Sequence, residues 1–152
     1  MKKITVFTIA FAASLMALTS CNNAPKADAS AGTSSGENTK TCFLLVEFKV
    51  DTTRVSLTLN GTEAKGDMAC LPYEKDAAIG TFKGTRSGDT LKTVYDYTIE
   101  GNVQQEQVWF LLKDNALSKG EGELEENKTG TLMYKDTKKI KFGAPFTKVD
   151  CK

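Results

Sequence analysis

The chain has 152 residues, with 20 Lys or Arg against 19 Asp or Glu and no histidine, for a formal charge of +1. That length predicts a single domain, and the near-neutral balance leaves no basic excess to hold a phosphate backbone, so nucleic acid is excluded as a partner. Without histidine there is no Ser–His or Cys–His nucleophile system, and the commonest transition-metal ligand is missing.

Residues 1–20 read as a targeting segment to be set aside before any fold reasoning. Lys2 and Lys3 form a short basic start, and residues 4–18 form an apolar run shorter than the roughly 20 residues needed to span a bilayer. The run ends in Leu18-Thr19-Ser20-Cys21. This resembles the lipobox of bacterial lipoproteins: Leu, two small residues, then Cys. A membrane peptidase needs small side chains beside the scissile bond, and only a thiol can carry thioether-linked diacylglycerol. The expectation is cleavage between Ser20 and Cys21, with palmitate-type acylation of Cys21 and the lipid bilayer as the resulting partner. Cleavage removes Lys2 and Lys3 and takes the formal charge from +1 to −1. Each buried CH₂ contributes about 0.8 kcal/mol, so two or three chains on one cysteine make a stable anchor.

Residues 21–40 hold Ala, Ser, Gly, Thr and Asn with almost nothing large and apolar. They cannot bury enough surface to offset the entropy of ordering, and they predict a flexible tether. At roughly 5–6 Å × √n, it would hold the following domain some 20–25 Å from the membrane.

Over residues 41–152 the pattern changes to period-two alternation, the signature of half-buried strands. Leu44, Val46, Phe48 and Val50 fall on one face, and Val55, Leu57 and Leu59 on the next. Asn60-Gly61 signals a hairpin. Gly80, Phe82 and Gly84 share a face; Ser87-Gly88-Asp89 turns the chain; Leu91, Tyr95, Tyr97 and Ile99 share the following face before Gly101-Asn102 turns it again. Val108, Phe110 and Leu112 precede Asp114-Asn115, and Ala116, Ser118, Gly120, Gly122 and Leu124 alternate with Lys119, Glu121, Glu123 and Glu125. Turn signals recur about every ten to thirteen residues, and no stretch shows helical periodicity. The predicted fold is all-β: an antiparallel up-and-down meander of eight to ten strands, closing into a barrel to remove its edges. Inward glycines at 66, 80, 84, 120 and 122 suit a small, strongly bent barrel. A β-sandwich is the alternative.

With Cys21 committed to lipid, Cys42, Cys70 and Cys151 remain, enough for one disulfide. In a closed meander with an even strand count, the start of the first strand lies beside the end of the last. Those places belong to Cys42 and Cys151. Their bridge would close a loop of roughly 110 residues and contribute on the order of 4–5 kcal/mol in the chain-entropy model. Cys70 alternates with Gly66 and Met68, as a small core residue would; the sharper alternative is a reactive or intermolecular thiol.

No constellation for catalysis appears, so the protein is expected not to be an enzyme and to carry neither cofactor nor metal. Glu121, Glu123, Glu125 and Glu126 form the one carboxylate cluster, read as a solvated strand face that Lys138, Lys139 and Lys141 could neutralise. If the meander closes, Gln104 and Glu106 point inward at one mouth. Phe82, Tyr95, Tyr97 and Phe110 would then form an apolar floor beneath them, as in a small-ligand cavity. Trp109 and Leu111 lie on the opposite, outward face. They are either covered by the loop around Leu71-Pro72-Tyr73 or exposed as a partner-binding patch.

Together, the Leu18-Thr19-Ser20-Cys21 box, the tether, the run Gly80-Thr81-Phe82-Lys83-Gly84-Thr85 with Gly88-Asp89-Thr90-Leu91 and Tyr97, and the ending Lys148-Val149-Asp150-Cys151-Lys152 resemble small envelope lipoproteins of Bacteroidota-type bacteria. The resemblance covers most of the chain and implies a lipocalin-like barrel, without an assigned activity. Surface-exported members carry acidic residues directly after the lipidated cysteine. Asn22-Asn23-Ala24-Pro25-Lys26 departs from that, which points to the outer membrane with the domain facing the periplasm. Two functions are expected as alternatives: a binding module for a small apolar or amphipathic ligand in the barrel, or an interaction lipoprotein that meets an envelope protein or an attacking hydrolase. A cavity open to solvent favours the first, and an occluded interior the second.

Overall fold

A computed structural model describes residues 39–151. The expected signal segment, Cys21 and most of the expected tether lie outside the described residues. Ten strands follow in chain order: β1 (Lys40–Glu47), β2 (Asp51–Asn60), β3 (Glu63–Leu71), β4 (Ala78–Ser87), β5 (Thr90–Ile99), β6 (Asn102–Lys113), β7 (Ala116–Glu121), β8 (Leu124–Glu126), β9 (Leu132–Tyr134) and β10 (Lys141–Val149). A 3₁₀ turn, Thr137–Lys139, precedes the last strand.

Consecutive pairing from β1 to β7 makes the meander, and β10 returns between β7 and β1 to close it. The ring is an antiparallel barrel of β1–β7 and β10, as the alternation predicts. Strands β8 and β9 stand outside it as an excursion between its last two staves. β9 attaches in parallel to β6 through Glu106 and Leu132, and β8 pairs with β9.

Tight turns set the registers. Between β2 and β3 the two loop residues are Gly61 and Thr62, one place later than Asn60-Gly61 suggests, with Gly61 at φ +57°. A glycine first in a two-residue loop is the type II′ arrangement, which matches the twist of the flanking strands. Glu100-Gly101 and Asp114-Asn115 have positive φ at both places, the type I′ pattern. For Glu100-Gly101, too, the turn sits one residue away from the expected Gly101-Asn102.

The disulfide forms between Cys42 and Cys151, Cα atoms 5.2 Å apart, at the seam where β1 starts and β10 ends. Cys70 is free and half-buried.

Two strand faces differ from the sequence expectation. In β1 the inward residues are Phe43 and Leu45, whereas Leu44 and Val46 face outward. Phe48 is not on a strand at all. It occupies the β1–β2 turn at φ +50°, 86% exposed, and Val50 is exposed beside it. Phe43, Leu44, Leu45 and Val46 are apolar on both faces, so alternation alone cannot choose between them. Register chooses instead: Phe43 pairs with Val55, which is buried, and cross-strand partners share a face.

In β7 the inward residues are Leu117 and Lys119, while Ala116, Ser118 and Gly120 face outward. The Asp114-Asn115 turn sets Leu112 opposite Leu117 and Phe110 opposite Lys119, which fixes that choice. Gly120 and Gly122 therefore face away from the packed centre, though both border the cavity at that end of the barrel. They admit Tyr134 and Ile140 beside β7, and Tyr134 there also reaches the rim of the cavity at that end. Gly66 does serve the interior, since a Cβ there would lie 2.8 Å from Cζ of Phe82.

The centre of the barrel is filled. Phe82 and Phe110 meet with ring centroids 5.3 Å apart, and Tyr95 stacks on Tyr97 at 4.7 Å. Leu57, Met68, Leu91, Val108, Leu117 and Phe146 complete the packing. Tyr95 Oη lies 2.9 Å from the Met68 carbonyl and 3.0 Å from that of Ala78, so its hydroxyl is satisfied where it is buried.

Candidate functional site

The filled centre separates two open mouths. At the end where the chain enters at Thr39 and the disulfide lies, a proximal cavity of about 420 Å³ opens. At the other end a distal cavity of about 430 Å³ opens, lined by Leu45, Glu47, Thr53, Cys70, Glu106, Lys119, Glu121, Leu124, Tyr134 and Phe146. Both volumes fall within the roughly 300–1,000 Å³ typical of small-molecule sites.

The register of β6 builds the distal floor. Glu106 sits opposite Tyr95 and Gln104 opposite Tyr97, so both point inward, as the alternation predicts. Tyr97 donates its hydroxyl proton to Oε1 of Gln104 at 2.8 Å, and Oε2 of Glu106 lies 3.5 Å from the same oxygen. From β7, Lys119 reaches in to place Nζ 3.5 Å from Oε1 of Glu106. The side chains of this pair are 16% and 35% exposed for Glu106 and Lys119 respectively. Desolvation offsets much of the attraction in a pair so sheltered, so stability alone is a weak reason for it. Lys119 escapes a sequence reading because it alternates with Glu121 and Glu123 and looks outward. The signal that finds it is the Asp114-Asn115 turn, which sets β7 in register.

Burial pushes the Cys70 thiol above its ordinary pKa, and the Lys119 ammonium partly offsets this. The shift favours the protonated thiol at neutral pH, which slows its reaction with electrophiles. Burial likewise raises the Tyr97 hydroxyl, with the Glu106 charge acting in the same direction, and raises Tyr95 further.

Of the four aromatics expected to line a ligand cavity, Phe82, Tyr95 and Phe110 are fully buried core residues that face no open space. Tyr97 alone reaches the margin of the distal mouth, through its hydroxyl. The apolar surface in that mouth comes instead from Leu45, Leu124, Tyr134 and Phe146.

Trp109 and Leu111 face outward, as expected, but both are half-buried. The cover on Trp109 is Tyr134 of β9, edge-on at 6.0 Å, not the loop around Leu71-Pro72-Tyr73. Lys92 sets its ammonium 4.7 Å from the indole centroid, and the indole Nε1 is buried without a hydrogen-bond partner among the described residues. That face is therefore a small satellite core rather than an open aromatic patch. Exposed apolar side chains gather at the distal end instead: Val46, Phe48, Val50, Tyr73, Ile79 and Val103.

The acidic run is likewise divided. Glu121 ends β7, Glu125 and Glu126 lie in β8, and Glu123 pairs with Lys135 at 2.9 Å. Lys139 pairs with Asp136, and among the described residues no ion pair joins Lys138, Lys139 or Lys141 to the acidic run. Among the described residues no three His, Cys, Asp or Glu side chains gather as a metal site. Comparison with protein-family models, with curated proteins and with solved structures found no match.

Proposed function

We propose that this chain is a lipid-anchored envelope protein, non-enzymatic, whose distal barrel mouth binds a small amphipathic molecule. The anchor is the acylated Cys21 of the Leu18-Thr19-Ser20-Cys21 box, and the outer membrane with the domain in the periplasm is its place, as part of a small Bacteroidota-type lipoprotein group. The observation that carries the binding reading is the sheltered Glu106–Lys119 pair at the floor of an open cavity. Among the described residues, three carboxylates, Glu47, Glu106 and Glu121, line that mouth against the single cation Lys119. An amine headgroup is the complement, with its tail lying along Leu45, Leu124 and Phe146. The filled centre limits the ligand to the mouth, so a long apolar molecule threaded through the barrel is not part of this reading.

Native mass spectrometry of the lipoprotein recovered from cells without detergent tests it. The expected result is a non-covalent adduct of an amine-bearing amphiphile, depleted several-fold in Glu106→Gln. A bare protein, or equal occupancy in both forms, would overturn the proposal.

A further inference from the structure

The proximal mouth has the opposite chemistry. Phe43, Leu57, Leu59 and Leu112 line it with apolar surface. Two cations stand over them at strand positions whose registers aim them inward. Arg86 pairs across the sheet with Leu91, and Lys148 with Phe43, and both partners are core residues. Cross-strand partners share a face, so both side chains leave from the cavity side of their strands, Arg86 half-buried and Lys148 exposed at the rim. Lys113 adds a third cation at the lip.

Arg86 donates Nε–H to the Gly88 carbonyl at 2.8 Å, which holds the guanidinium in place and leaves its remaining donors. Among the described residues, Arg86, Lys113 and Lys148 form no ion pair. The acids of this mouth, Asp89 and Asp114, sit on the two-residue turns at its lip and not on inward strand positions. Inward cations over an apolar floor, in no ion pair among the described residues, suit a ligand with an anionic head and an aliphatic tail.

We propose that the proximal mouth is a second binding site, specific for an anionic amphiphile: a carboxylate or phosphate head between Arg86 and Lys148, with the tail on Phe43, Leu57, Leu59 and Leu112. It is independent of the distal site. Thr39 lines this mouth, so it is the end of the barrel at which the chain leading back to Cys21 arrives. A phospholipid headgroup and a free fatty acid share this chemistry, and the membrane source alone rests on the lipidation proposed above.

The test uses the full lipidated chain in phosphatidylcholine nanodiscs, with leucine methyls labelled for NMR. Decanoate should shift the methyls of Leu57, Leu59 and Leu112 while leaving Leu45 of the distal mouth in place. Decylamine, with the same tail and the opposite charge, should not move them. Arg86→Gln with Lys148→Gln should weaken decanoate binding by about tenfold or more, as loss of charge-assisted hydrogen bonds implies. An unchanged Leu117 methyl in that variant verifies the fold. Shifts that appear on replacing part of the lipid with phosphatidylglycerol, and that decanoate competes away, assign the ligand to the membrane; shifts with decanoate alone assign it to free fatty acid. No shift with either anion, or equal shifts with decylamine, would overturn the proposal.

Discussion

Replacing Phe110 with alanine should cost about 3–5 kcal/mol in urea unfolding, the range for truncating a large buried aromatic. Phe110 is fully buried at the centre of the barrel, against Phe82 at 5.3 Å. Its neighbours come from strands locked in a closed ring, so they cannot collapse into the space a phenyl group leaves. The void would lie between the two mouths, where the protein is otherwise solid. A loss below about 1 kcal/mol would mean that the centre is loosely packed, and an interior ligand site would then come back into consideration.

The second large effect belongs to the seam. Replacing Cys42 and Cys151 together with alanine should lower stability by on the order of 4–5 kcal/mol in the chain-entropy model, because the bridge joins residues 109 apart in sequence. Removing both sulfurs leaves no stray thiol at this position to pair with Cys70. The seam also holds the first strand against the last through the short pairing of Cys42 to Leu44 with Thr147 to Val149. Fraying should therefore begin there, and hydrogen exchange in β1 and β10 should rise before that in β4 and β5. Unchanged stability would show that the β1–β10 pairing closes the barrel unaided.

The sequence made some of this legible and hid the rest, for physical reasons. The Cys42–Cys151 pair could be read because a closed meander puts its two ends together whatever the details of each strand. Inward Glu106 could be read because β6 alternates cleanly through Val108, Phe110 and Leu112. β1 could not, since Phe43 to Val46 is apolar at every place and only the partner strand distinguishes its faces. β7 misled for the opposite reason: its residues are small or charged, and only Leu117 marks the inside. That error hid Lys119, the cation that completes the distal floor. Trp109 was legible as an outward aromatic, but its cover comes from β9, a three-residue strand too short to leave a periodic signature.

Cys70 provides the most direct measurement of the central claim, that ligand is held in the distal mouth above a sealed core. It lines that mouth, and it is the one free cysteine among the described residues. Its raised pKa makes alkylation by iodoacetamide slow at neutral pH and faster as pH rises through its folded value. Measured on the lipidated protein at one fixed alkaline pH, decylamine should slow alkylation of Cys70 in a saturable way, and Glu106→Gln should remove most of that protection. Decanoate should leave the rate unchanged. Equal protection by both amphiphiles, or none by decylamine, would contradict the account.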